Sequence, residues 1–191
     1  MQTFTKSYII LLAFFLLSNH AYSQWINGQA AGMVFGQPDF NTNIAGSDLS
    51  SLNSPYGIAV DPVSKKLFVA DYGNHRILRY ASYQSYTNGA PAELALDRIN
   101  GNLSFINPMG IFIENNNLWI CDNGSNRVVR IPNASTLANG AQANLVLGQQ
   151  DYTTTTAGIA LNQLSGPCGI FIKDNTLWVS QNIGNRIFRY N

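Results

Sequence analysis

Residues 55–80 read PYGIAVDPVSKKLFVADYGNHRILRY, and the chain says nearly the same thing twice more. Residues 108–131 read PMGIFIENNNLWICDNGSNRVVRI, and residues 167–190 read PCGIFIKDNTLWVSQNIGNRIFRY. A period of about 55 residues built from short apolar runs marks a repeat array. One such unit cannot bury its own apolar faces, so neighbouring units must stack.

Within the first unit, residues 57–60, 67–70 and 76–80 are apolar or aromatic runs. Asp61-Pro62 and the cluster Asp71-Tyr72-Gly73-Asn74 separate them. Short β-branched and aromatic runs between Gly, Pro, Asn and Asp read as strands, and none reaches helical length. A fourth strand follows an Asn-Gly pair: Asn88-Gly89 leads into residues 93–96, and Asn139-Gly140 into 144–147. Before the first unit, Asn27-Gly28 leads into a predicted strand at 32–35. The connecting loops repeat as well. Gly36 and Gly148, Asp39 and Asp151, Gly46 and Gly158, and Leu52 and Leu164 recur at one constant spacing.

Both parities along these strands are apolar, as in Leu118-Trp119-Ile120-Cys121. A strand covered on both faces reads as such a continuous run. Four-stranded sheets packed face to face around an axis provide that environment. A sandwich would leave alternating polar residues on its outer faces. The expectation is therefore an all-β propeller of four-stranded blades, with a solenoid as the rival.

The order Pro-x-Gly-Ile, Leu-Phe/Trp-Val/Ile, then Asp-x-x-Asn-x-Arg-Ile/Val-x-Arg-Tyr resembles the NHL repeat. The first unit carries all of it, including Asn74-His75-Arg76; the second has Ser125 for the motif Asn, and the third has Gln181 for the Asp and Gly184 for the Asn. The resemblance covers residues 28–190 and implies blades of a six-bladed ring. Three units make an open half-ring or a fragment of a larger one. Chemistry does not follow from it, because propellers host many unrelated activities.

Residues 1–23 have the pattern of an export signal: Lys6, an apolar run at 8–17, and Ala21-Tyr22-Ser23 before a cleavage point. The run is shorter than the ~20 residues of a membrane-spanning helix. An uncleaved anchor is the alternative. The expectation is a secreted or periplasmic protein with no membrane span after cleavage and one domain over residues 24–191. The whole chain holds 11 Lys+Arg against 10 Asp+Glu, and Lys6 leaves with the signal. A balanced charge argues against nucleic acid, which calls for a basic surface.

The arginines concentrate in the motif. Arg76, Arg127 and Arg186 recur in every unit, with Asp71 and Asp122 placed to pair with the first two. A framework role is needed in every blade, whereas a ligand touches only some, so these residues read as structural. His75 is the sole histidine after the signal, in a motif turn, without partners for catalysis or metal binding. Asp39-x-Asn41-x-Asn43 faintly resembles a calcium loop, but its glycine comes late, at Gly46, and no acid closes it. A turn capped by the Asp side chain is the better reading. Cys121 and Cys168 read as two unpaired, buried thiols; export would permit a bridge. No catalytic residue, metal site or cofactor is expected.

Loops on rigid scaffolds carry binding. The connections 39–54, 97–107 and 151–166 and the turns 72–75, 123–126 and 182–185 fall on one face. Tyr72, His75, Asn123, Ser125 and Asn182 are the candidate binding residues. They suit a neutral polar partner such as a glycan, peptide or protein. The alternatives are a truncated lyase- or lactonase-like enzyme with its metal on other blades, and a purely structural module. A homodimer or additional C-terminal blades would complete the ring.

Overall fold

Asparagine sets the turns on which the architecture depends. The computed structural model describes residues 25–191. Asn115 and Asn116 both take left-handed φ, 49° and 59°, and reverse the chain between β7 (Pro108–Glu114) and β8 (Asn117–Asp122). Asp174 and Asn175 do the same, at 50° and 58°, between β11 (Pro167–Lys173) and β12 (Thr176–Gln181). Two successive left-handed residues match the twist of the flanking strands, and Asn tolerates that conformation better than most residues. The motif turns use the same device once each, at His75, Asn126 and Asn185.

The first blade is β1 (Pro55–Val60), β2 (Lys66–Asp71), β3 (Arg76–Ser82) and β4 (Leu94–Leu96), paired in that order. The second repeats it with β7, β8, β9 (Arg127–Pro132) and β10 (Leu145–Leu147). The third has β11, β12 and β13 (Arg186–Tyr190). All pairings are antiparallel. Each first strand opens on its motif proline, and its register slips directly afterwards. Proline at the start of an edge strand costs no ladder bond.

The first strands of successive blades lie side by side, β1 by β7 and β7 by β11. That contact explains the motif glycine. A Cβ on Gly57 would fall 2.3 Å from Met109 O, and one on Gly110 would fall 2.5 Å from Cys168 O. The sheets then meet face to face. Phe68, Ile77 and Leu96 of blade 1 share a buried cluster with Ile111, Ile113 and Ile120 of blade 2. Trp119, Cys121 and Val128 of blade 2 share one with Ile172, Leu177 and Val179 of blade 3. Burying one such side chain contributes roughly 1.5–3 kcal/mol. The fold is a propeller segment of three blades.

Three expectations need correction. Residues 32–35 do not form a strand. A strand requires a ladder partner for its N–H and C=O groups, and none lies beside this segment. Phe35 instead stacks on Tyr86 at 3.9 Å between ring centroids, with Tyr80 edge-on at 5.2 Å. The connection 97–107 is not a plain loop: β5 (Arg98–Ile99) and β6 (Leu103–Ser104) pair as a small hairpin. Cys168 is half-buried rather than buried, while Cys121 is enclosed; both thiols are free. Residues 1–23, read as a signal, lie outside the described residues. Residues 25–31 form a separate short turn, closed by Gln29 N–H donating to Ile26 O.

Candidate functional site

The motif arginines latch each blade to its incoming loop. Arg76 Nε donates to Asp71 Oδ2 at 2.7 Å. Its remaining donors reach Ser47 O, Asp48 O and Ser51 O at 2.6, 2.7 and 3.2 Å. Asp71 Oδ1 accepts Asn53 N–H at 2.7 Å. The second blade repeats this. Arg127 Nε donates to Asp122 Oδ2 at 2.9 Å, its other nitrogens bond Tyr152 O and Ser104 O, and Asp122 Oδ1 accepts Ile106 N–H. Burial pushes the Asp122 carboxyl above the usual carboxylate range, and the Arg127 guanidinium pulls it back. In the third blade Gln181 Oε1 accepts Ser165 N–H at 2.7 Å, and Arg186 reaches Gly158 O and Ile159 O. The guanidinium donors of Arg76 and Arg127 are thus spent on backbone carbonyls and a carboxylate, leaving little to offer an anion.

One cleft opens between the first motif turn and the β5–β6 hairpin. The hairpin turns at Asn100 and Gly101, with φ of 48° and 84°. Its start and its turn are pinned to blade 2. Asp97 N–H and Arg98 N–H donate to Asn139 Oδ1, and Ala143 N–H donates to Asn100 Oδ1. The hollow has a volume of about 400 Å³, and Asn74, His75, Asp97, Arg98, Asn102 and Ser104 line it over Phe105 and Ile106. His75 Nδ1 accepts Asn107 N–H at 3.2 Å, which places the imidazole proton on Nε2. Asp97 and Arg98 pair with each other at 3.1 Å in the open. The cleft therefore offers donors and acceptors in mixture, a self-neutralised charge pair and an apolar floor.

The five residues singled out in the sequence do not converge. His75 lines the cleft. Tyr72 packs its ring against Tyr56, 5.1 Å between centroids. Asn123 Nδ2 donates to Pro167 O at 3.1 Å and lies 3.4 Å from Asn182 Oδ1, so this pair sits at the next junction. Ser125 is buried beside the Asp122 carboxylate. It replaces Asn74, whose longer side chain reaches both Asp71 Oδ2 and Gly46 O. Asp97, Arg98, Asn102 and Ser104 were missed as individuals. The signal for them was Asn100-Gly101, a dipeptide that favours a tight hairpin.

Asp39 Oδ1 accepts Asn41 N–H, Thr42 N–H and the Thr42 hydroxyl at 2.8–2.9 Å. Asp151 does the same with Thr153 and Thr154. These are capped turns. Among the described residues, no three of His, Cys, Asp or Glu come together as a metal site would require.

The NHL repeat matches residues 52–80, the whole first motif. The chain is 36% identical over 85 residues to NHL repeat-containing protein 2 of Bos taurus; the match covers 43% of this chain and 12% of the bovine protein. Among solved structures, Kuenenia stuttgartiensis hydrazine synthase aligns with 75% of this chain and 32% of its own, at 13% identity and a TM-score of 0.46. Streptogramin B lyase aligns with 74% of this chain and 53% of its own, at 17% identity and a TM-score of 0.42. The chain spans well under two thirds of each of these proteins, and likeness at that level transfers no activity. Residues 52–80 thus match an NHL repeat, and the second blade repeats the same strand register and the same arginine latch.

Proposed function

We propose that the chain is a binding module whose cleft between residues 74–75 and the β5–β6 hairpin takes a neutral polar ligand. The observation that carries this reading is the chemistry of the lining. His75 Nε2–H and Asn102 offer donors, Ser104 and Asp97 offer acceptors, and Phe105 and Ile106 supply an apolar floor. Alternating hydroxyl or amide groups on a carbon frame suit that mixture, as in an oligosaccharide or a short uncharged peptide. An anion gains little there, because Asp97 already neutralises Arg98. The hairpin is pinned at its start and its turn, so ligand binding does not have to order it. The pattern of residues 1–23 supports export, which would put this cleft outside the cytoplasm.

Neutral oligosaccharides and uncharged peptides, titrated while amide shifts are followed, test the reading. Shifts clustered at residues 74–75 and 97–106, lost in Asn102→Ala, support it. Shifts scattered elsewhere, or saturation only by anions, would reject it. N-terminal sequencing of exported protein tests the signal, with Gln24 as the expected first residue.

A further inference from the structure

The residue just before the first motif arginine ties blade 1 to blade 2 and blade 2 to blade 3. His75 and Asn126 hold this place, next to Arg76 and Arg127. Both take left-handed φ, 55° and 52°, and close their own turn by donating backbone N–H to Tyr72 O and Asn123 O. Their side chains then cross to the following blade. His75 Nδ1 accepts Asn107 N–H at 3.2 Å, and Asn126 Oδ1 accepts Gly166 N–H at 2.9 Å. Asn107 and Gly166 are themselves equivalent. Each precedes a motif proline, Pro108 or Pro167, and each has positive φ, 55° and 61°. One latch is thus built twice, and both times the side chain is the acceptor.

The two acceptors differ in chemistry. An amide oxygen accepts at any ordinary pH. An imidazole nitrogen accepts only while the ring is neutral, and becomes a donor once a solvent proton lands on it. Histidine is the side chain that makes this change between about pH 8 and pH 5. A protonated His75 meets Asn107 N–H donor to donor. The backbone amide cannot reverse its polarity, so the ring has to turn away.

The charged groups around the ring are paired among themselves. On its own turn Asp71 pairs with Arg76, and Tyr72 packs on Tyr56. On the incoming loop Asp48 caps Ser50 and Ser51. Residues 105–107 carry no titratable side chain, and Asp122, which accepts Ile106 N–H, pairs with Arg127. On the hairpin Asp97 Oδ1 takes both Arg98 and Asn139. Asp97 lines the same cleft as His75, and its second oxygen gives an imidazolium somewhere to turn.

We propose that His75 is an acid-sensitive latch between blades 1 and 2. Protonation at Nδ1 releases Asn107, loosens the cleft wall that Asn74 and His75 form, and puts a cation on the rim. The junction of blades 2 and 3, latched by Asn126, stays shut. The device lies in the wall and does not depend on what the cleft binds. If the cleft takes a neutral ligand, that ligand meets a preformed site near neutral pH and a loosened, cationic one in acid.

Amide hydrogen exchange of the full chain, with no ligand present, tests the latch apart from any binding. Protection of Asn107, corrected for the intrinsic pH dependence of exchange, should fall about tenfold between about pH 8 and pH 5, as the loss of one hydrogen bond allows. The fall should follow the His75 imidazole resonances, while Gly166 keeps its protection. His75→Asn copies the residue that blades 2 and 3 carry at this place, Asn126 and Asn185, so the turn and an acceptor are retained. In that variant Asn107 should stay protected across the range. His20, the chain's other histidine, is intact there, so a change owed to it would persist. Level protection of Asn107 in the wild-type chain overturns the proposal. So does a fall shared by Gly166, or one that survives in His75→Asn.

Discussion

The carbonyl oxygen of Met109 lies where a Cβ of Gly57 would sit, at 2.3 Å. Cys168 O stands in the same relation to Gly110, at 2.5 Å. Neither glycine has positive φ, so the requirement is one of space and not of backbone conformation. The obstacle is backbone, which cannot step aside as a side chain would.

Gly57→Ala and Gly110→Ala should therefore each cost about 1–3 kcal/mol, the range for forced overpacking. Gly32→Ala, with nothing within 4 Å of its added Cβ, should change little. Urea denaturation of the three variants checks this. Equal stabilities for all three would mean that the inner strands do not meet as described.

The motif arginines differ in what they leave behind. Arg127→Ala strands the buried Asp122 carboxylate and should cost roughly 3–5 kcal/mol, the range for breaking a buried ion pair. Arg186→Ala leaves no charge behind, only the neutral Gln181 and the carbonyls of Gly158 and Ile159, and should cost about 1 kcal/mol. Thermal and urea unfolding give the ranking. A larger loss for Arg186→Ala would reverse it.

Asp151 should titrate at about 2, held down chiefly by the Thr153 hydroxyl and by the Thr154 and Thr153 amides. Its pKa is lower folded than unfolded. The stabilisation it lends the turn is therefore present above the unfolded value of about 3.9 and lost as pH falls towards 2. Carboxyl NMR shifts measure this directly. In Thr153→Val the midpoint should move up towards the ordinary range.

The thiols should separate by access. Cys168 should react with a small thiol reagent in the native protein. Cys121, enclosed and with its ionisation pushed up by burial, should react only on unfolding. Denatured, non-reduced protein should show two reactive thiols. None at all would mean a bridge.

Much of the fold was legible in residues 55–80, 108–131 and 167–190. Strand and turn depend on local periodicity and on where Asn, Gly and Pro interrupt it, and these are written in the order of the residues. The pairing of Arg76 with Asp71 and of Arg127 with Asp122 was legible too, since both ends sit on one hairpin. The cleft was not. His75 and Asn102 are far apart in sequence, and they meet only because Asn139 on blade 2 pins the β5–β6 hairpin.

Sequence alone determined the repeat and its motif strands, stated three times, and the acid–arginine latch, stated twice, because each is a short-range property. Only the tertiary structure decided the fates of Ser125, Phe35 and Ile58. Ser125 looked like a surface turn residue and is buried; Phe35 looked like a strand and stacks on Tyr86 instead. Ile58 shares its motif place with Ile111 and is bare where Ile111 is covered. Burial depends on which sheet lies opposite, and that is set by how whole blades pack rather than by any residue's neighbours in the chain.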